Sequence, residues 1–418
     1  MRDNLIVHNA HIVSPLGSRA IKGEKMSQLS IIKNGVIEIT EGIITFVGSQ
    51  QAYKRLENSK ANYTELDANG NCVLPGFVDS HTHFVFGGER AEEFSWRLEG
   101  ESYMSIMERG GGIMKTVRET RKLTLDELIA KSKYFLHRMT EMGITTVEGK
   151  SGYGLDKYTE LLQLQTMQEL NMDPEVAVDI VSTFLGAHAL PPEFHGDRDN
   201  YLEFIINEVL PEVKRQNLAE FCDVFCEKGV FSISESRKIL TKAKELGFKL
   251  KIHADEVVSL GGAELAVEVG ATSADHLLKI SNEGIKAIAK SETVATLLPI
   301  TALSLKEPYA KGREMIDAGC AVALATDLNP GSAFSGSIPL TIALACIKMD
   351  LTIEETITAL TLNGAAALGR ADTIGSIEVG KLGDLIILET TNYKQLPYYI
   401  GMNIVKQTIK RGRVHCKT

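Results

Sequence analysis

Positive charge is in short supply in this chain: 45 Lys and Arg stand against 54 Asp and Glu among 418 residues, a formal net charge of −9. That balance leaves no global electrostatic footprint for nucleic acid or an anionic membrane, so a small molecule is the expected partner. Cysteine is sparse too. Six thiols (Cys72, Cys222, Cys226, Cys320, Cys346, Cys416) are scattered through a long chain, unlike the dense framework of a small secreted scaffold, and a reducing, cytoplasmic setting is expected. Cys222 and Cys226 are spaced like half a zinc site, yet no second Cys or His pair follows at structural-zinc spacing, so both read as core thiols. Long uncharged apolar stretches are missing, which excludes a membrane-spanning helix, and the first apolar run is broken by His8, Asn9 and His11. There is no internal repeat, low-complexity run or linker.

What is present is ordinary globular material: 44% hydrophobic and 24% charged residues, over a length that exceeds one simple core. Leu5 to Val13 and Leu29 to Val47 are rich in Ile and Val, with Asn34-Gly35 and Glu41-Gly42 as turn signals, and predict hairpin strands. From Val73 to about Arg370, strand-like runs alternate with helix-length segments such as Leu125–Met142 and Asp156–Leu170, a pattern of βα units around a parallel sheet. The strand runs are 73–80, 144–148, 180–185, 222–227, 250–253, 272–276, 294–299 and 321–326. Eight in this span match a (β/α)8 barrel. After Ile374, β character returns at 375–378, 384–388 and 404–409. Both chain ends are therefore expected to build one small β-sandwich beside the barrel, dividing the chain as 1–73, 74–372 and 373–418.

Chemistry concentrates at the strand ends. In Pro75-Gly76-Phe77-Val78-Asp79-Ser80-His81-Thr82-His83, period two places both imidazoles on one face, at the C-terminal mouth where barrel enzymes work. Further apolar runs end in His253-Ala254-Asp255-Glu256, in His276 and in Asp327. A lone strand-end histidine is more often a satisfied structural residue; four such endings in one barrel are hard to dismiss. Three imidazoles and a carboxylate suit Zn²⁺ or Fe²⁺, and thiolates are absent from these ends.

These residues resemble the amidohydrolase superfamily, over essentially the whole chain. The resemblance implies that His81, His83, His253 and Asp327 hold one divalent or trivalent metal ion, zinc or iron, and that His276 hydrogen-bonds the activated water while Asp327 handles its proton. Stretches such as Gly87-Gly88-Glu89-Arg90, Gly110-Gly111-Gly112-Ile113, Glu148-Gly149-Lys150-Ser151-Gly152-Tyr153-Gly154, Leu185-Gly186-Ala187-His188-Ala189 and Asp327-Leu328-Asn329-Pro330-Gly331-Ser332 are similar to the branch of the superfamily that opens a propionate-bearing imidazolone ring in histidine breakdown. That likeness implies substrate contacts from Arg90, Tyr153, His188, Glu256, Asn329, Gly331 and Ser332, with Glu256 beside Asp327 and His276 in the catalytic set, and it suggests a homodimer.

The residue types fit such a substrate. An Arg fork binds a carboxylate through two charge-assisted hydrogen bonds, although Arg90 paired with Glu92 or Glu93 is the plainer alternative. Gly152-Tyr153-Gly154 lets backbone approach a ligand closely, or is simply a turn. Tyr103 is a weaker candidate for the tail. Glu227, at the end of the fourth run, is where a second metal would find a ligand, or is an ion-paired strand end. Purine deaminases and dihydroorotase-like cyclic amidases would use the same ligands, and a non-catalytic scaffold would keep the fold while losing them.

Overall fold

The computed structural model of the chain describes residues 4–55, 62–101, 109–194 and 196–416, so Tyr103 lies outside the described residues. Among the described residues, sixteen strands fall into two sheets: β1 Leu5–Ser14, β2 Ser30–Thr40, β3 Ile43–Ser49, β4 Thr64–Asp67, β5 Cys72–Pro75, β6 Phe77–Asp79, β7 Ile144–Lys150, β8 Asp179–Ala187, β9 Phe221–Cys226, β10 Lys249–Ala254, β11 Ser273–His276, β12 Val294–Leu297, β13 Val322–Leu324, β14 Leu385–Leu388, β15 Val405–Lys410 and β16 Arg413–Cys416.

Strands β6 to β13 pair in parallel with their sequence neighbours and make the barrel. They are buried along nearly their whole lengths, with helices packed outside, which is why each reads as an apolar run without alternation. Between β13 and β6 the described residues form no ladder. Asp79 closes the gap instead: Thr326 N and Oγ1 donate to its carboxylate at 3.0 and 2.6 Å. Just beyond, Asp327 N donates to His81 O at 3.0 Å and His83 N to Leu328 O at 2.8 Å, so the segments after β6 and β13 are stitched side by side.

The chain ends share the second sheet, ordered β16-β15-β14-β5-β1-β2-β3 with β4 beside β1. Val7, Ile37, Ile39, Val73, Leu385 and Ile387 form its own apolar cluster. The run 73–80, read as one strand, is divided at Gly76: β5 belongs to this sheet and β6 to the barrel. A β-carbon at Gly76 would lie 2.3 Å from Thr145 Oγ1, so only glycine lets the chain cross so close to β7. Lys410 clamps the two sheets, its Nζ donating to Thr145 O, Asp179 and Asp384 at 2.7–2.8 Å.

Two local expectations are corrected. Glu41-Gly42 is a hairpin turn, but Asn34-Gly35 lies inside β2, where Gly35 faces Ala10 across a shift in register. It is a bulge, which uses the same positive φ as a turn. Residues 375–378 form no strand; Ile377 N donates instead to the Ser14 hydroxyl at 2.8 Å.

Candidate metal and active site

At the barrel mouth, three imidazoles meet nitrogen to nitrogen. His81 Nε2 lies 3.3 Å from His83 Nε2, which lies 3.4 Å from His253 Nε2. Asp327 Oδ1 is 3.6 Å from both His81 Nε2 and His83 Nε2. All four side chains are at least 97% buried, and burial holds His81 and His83 well below the usual imidazole range, so each ring is neutral, with one N–H and one lone-pair nitrogen. Lone pairs packed together repel unless something positive lies among them. Donors about 2.0–2.1 Å from a shared centre lie roughly 3.3–3.4 Å apart in a tetrahedron, so the three imidazole nitrogens, with Asp327 Oδ1 beside two of them, fit a single metal ion.

Two of the rings are held at their outer edges: His81 Nδ1 hydrogen-bonds to Asp275 Oδ2 at 2.6 Å and His253 Nδ1 lies 2.9 Å from Asp223 Oδ2, an arrangement that leaves Nε2 of each of these rings free to bind. Thr301 donates to Asp327 Oδ2 at 2.6 Å. Burial pushes the Asp327 carboxyl up to about 6. Backbone strain gathers at the same place: His276 and Asp327 hold φ of 78° and 55°, in the left-handed region that such residues rarely enter. His276 is 3% exposed, yet neither ring nitrogen has a partner, as befits a side chain that meets a ligand or water. Its Nδ1 lies 3.6 Å from Glu256 Oε1, and burial, with Asp327 and Glu227 nearby, pushes Glu256 up to about 8.

The remaining expected residues line the same mouth. His188 stacks on His83 with ring centroids 5.3 Å apart, and its Nδ1 meets Gly152 O at 3.0 Å. Burial brings its pKa down to about 3, so the ring is neutral, with Nδ1–H donating and Nε2 accepting. The Tyr153 ring lies 5.3 Å from His188 and 6.0 Å from His83. Arg90 caps the helix Ala91–Leu98 and leans over the loop after Asp327, where its Nε donates weakly to Pro330 O at 3.4 Å. Glu92 is taken by Lys115, and Glu93 reaches Arg90 only at 3.9 Å, leaving the guanidinium able to serve an anion. Asn329 organises that loop: its amide oxygen accepts from Gly331 N and Ser332 N at 2.8 Å, and its nitrogen donates to Asp327 O.

Glu227 is not brought to the histidines. Its carboxylate accepts from Val257 N and Lys228 N, and among the described residues it joins neither group with metal-ligand spacing. Sequence reasoning missed Thr301 and the wholly buried charges Glu148, Lys150, Asp223, Lys251 and Asp275. Glu148–Lys150 and Lys251–His253 each stand two apart on one strand, and that spacing was the available signal.

The model of the amidohydrolase family matches residues 72–415, and the chain belongs to that family. Its curated relatives are more specific. A protein of Bacteroides thetaiotaomicron named imidazolonepropionase is 65% identical over 99% of both chains, and one of Bacteroides fragilis with the same name is 63% identical over the same shares. Within the amidohydrolases, the chain is thus a member of the imidazolonepropionase family. Among solved structures, guanine deaminase of E. coli aligns with a TM-score of 0.73, over 99% of this chain and 100% of that one, at 15% identity, a likeness of fold alone.

Proposed function

We propose that this protein hydrolyses the ring amide of 4-imidazolone-5-propionate to N-formimidoyl-L-glutamate, a step of histidine degradation. One observation carries the reading: the donor group of His81, His83 and His253, with Asp327 Oδ1 3.6 Å from two of its nitrogens, shares its barrel mouth with the Arg90 guanidinium, so an anion-bearing ring has a place for each end. His81, His83, His253 and Asp327 would hold one zinc or iron ion, which would supply Lewis acidity to the ring carbonyl and to water.

The chain's own groups do the rest. Arg90 binds the propionate through two charge-assisted hydrogen bonds, with Tyr153, kept protonated by burial, beside it. His188 accepts a ring N–H at Nε2. The loop of Asn329, Gly331 and Ser332 walls this side of the ligand. Asp327 takes the proton from the attacking water and delivers it to the ring nitrogen, so that a C–O bond forms as the C–N bond breaks. His276 donates to the carbonyl oxygen as charge develops there, and Glu256 orients the water. We place the reaction in the cytoplasm, in keeping with five described cysteines that are all free thiols. No helix among the described residues is long and apolar enough to cross a membrane.

The test is the fall in ultraviolet absorbance of imidazolonepropionate with purified, metal-quantified protein, beside His81→Ala. Turnover that vanishes in the variant supports the reading. A fully metallated wild type that leaves the substrate untouched, or that instead releases ammonia from a purine, overturns it.

A further inference from the structure

Directly beneath the metal-binding histidines, four strands contribute five ionisable side chains with no exposure at all: Glu148 and Lys150 from β7, Asp223 from β9, Lys251 from β10 and Asp275 from β11. Lys150 Nζ donates to Asp223 Oδ2 at 2.7 Å and to Glu148 Oε1 at 2.9 Å. Lys251 Nζ donates to Glu148 Oε2 and to Ser80 O, each at 2.7 Å. The two ammonium groups lie 3.7 and 3.5 Å from Asp275 Oδ2. The oxygens involved are telling. Asp223 Oδ2 faces His253 Nδ1, and Asp275 Oδ2 faces His81 Nδ1.

We infer that Lys150 and Lys251 are positioning residues of the metal site: their ammonium groups anchor the carboxylate oxygens that receive Nδ1–H of His253 and His81, and so aim both Nε2 lone pairs at the metal. The inference rests on the metal reading above. Each carboxylate is shared between a lysine and a histidine, so loss of the lysine frees it to rotate or turn toward another donor, and the ring it holds loses its orientation. The charges agree. Two ammonium groups against three carboxylates leave one negative charge, and Asp327 adds a second, which matches a divalent cation. The lysines also fill the one other group with ligand spacing found among the described residues, His81, Glu148 and Asp275, since both reach Glu148 and Asp275 there. A second cation is thereby kept out.

The experiment titrates zinc(II) alone into the metal-free full chain against a chromophoric chelator, for wild type, Lys150→Met and Lys251→Met. The expected result is a roughly 10–100-fold loss of zinc affinity in both variants. Ile239→Ala, which weakens a buried helix contact remote from the site, is expected to lower thermal stability yet bind zinc like wild type. In ¹⁵N-histidine spectra of the metal-free protein, His81 and His253 are expected as single Nδ1–H tautomers in wild type and as mixtures in the lysine variants. Should Lys150→Met fail to fold, Lys150→Met/Glu148→Gln, which removes one charge of each sign, takes its place and is expected to show the same loss. Zinc affinities within about twofold of wild type in folded variants overturn the inference while leaving the metal reading intact. A wild type that takes up no zinc overturns both.

Discussion

The Arg90 guanidinium occupies the space that a side chain on Gly331 would need: Nη2 lies 1.3 Å from the position of a β-carbon built there. Gly331 φ is not in the left-handed region, so room, not backbone conformation, demands glycine at this point. The relation makes Gly331 a condition for Arg90's place over the loop. Gly331→Ala is expected to displace the guanidinium and raise KM for the propionate substrate by about 10–100-fold with a smaller change in kcat, on the scale of one lost charged hydrogen-bond pair. Arg90→Ala should reproduce the effect. Equal kcat and KM changes with an analogue lacking the carboxylate would contradict it.

Removing the metal should destabilise the fold. A ligand that binds only the native state adds RT ln(1 + [L]/Kd), about 4 kcal/mol at a thousandfold excess over Kd. Chelation is therefore expected to lower the calorimetric midpoint by several degrees and zinc to restore it, while His81→Ala responds to neither. An unchanged midpoint after verified metal loss would refute this.

Thr301 matters through Asp327. Thr301→Val strips the 2.6 Å donor from the buried Asp327 Oδ2, at a cost of about 1–3 kcal/mol. Weaker zinc binding and a lower kcat are expected together, measured by chelator competition and steady-state kinetics. A variant as active as wild type would show that the hydroxyl does not hold the carboxylate.

Glu256 sets a pH dependence of stability. Burial, followed by the charges of Asp327 and Glu227, raises its folded value from 4.5 to about 8. The folded state then holds a proton that the unfolded state has lost, so stability falls as pH rises from about 5 and levels off above the folded value. Glu256→Gln has no proton to lose. In chelated protein the variant is expected to gain on wild type between pH 5 and 9, by an amount on the order of a few kcal/mol at the alkaline end, with the two converging at the acid end. Urea unfolding at both ends measures it; a pH-independent difference would count against the raised value.

Much of the architecture is legible in the chain because strands buried on both faces are predominantly apolar. All eight barrel runs were visible for that reason, and the histidines were visible because they break those runs at one end. The same property hid the join at Gly76. Both β5 and β6 are wholly buried, so nothing in 73–80 marks where one sheet ends and the other begins. Asn34-Gly35 misled because a bulge can ask of Asn34 the same positive φ that a turn would. The polar layer of Glu148, Lys150, Asp223, Lys251 and Asp275 was passed over because an isolated charge within a strand is usually a solvated edge. Only closure of the barrel brings these five into one network of ion pairs.

The sequence by itself determined the eight barrel strands, the barrel, the shared sheet of the two chain ends and the polar residues at the mouth, since each depends on local pattern: apolar runs, their spacing, and polar residues at their ends. The tertiary structure alone decided which histidine nitrogens face inward, that Arg90 lies over Gly331, that Glu227 serves a loop, and that lysines from two strands stand under the metal-binding rings. Those relations join residues far apart in the chain, and their distances are set by strand register and barrel closure, which no local pattern encodes.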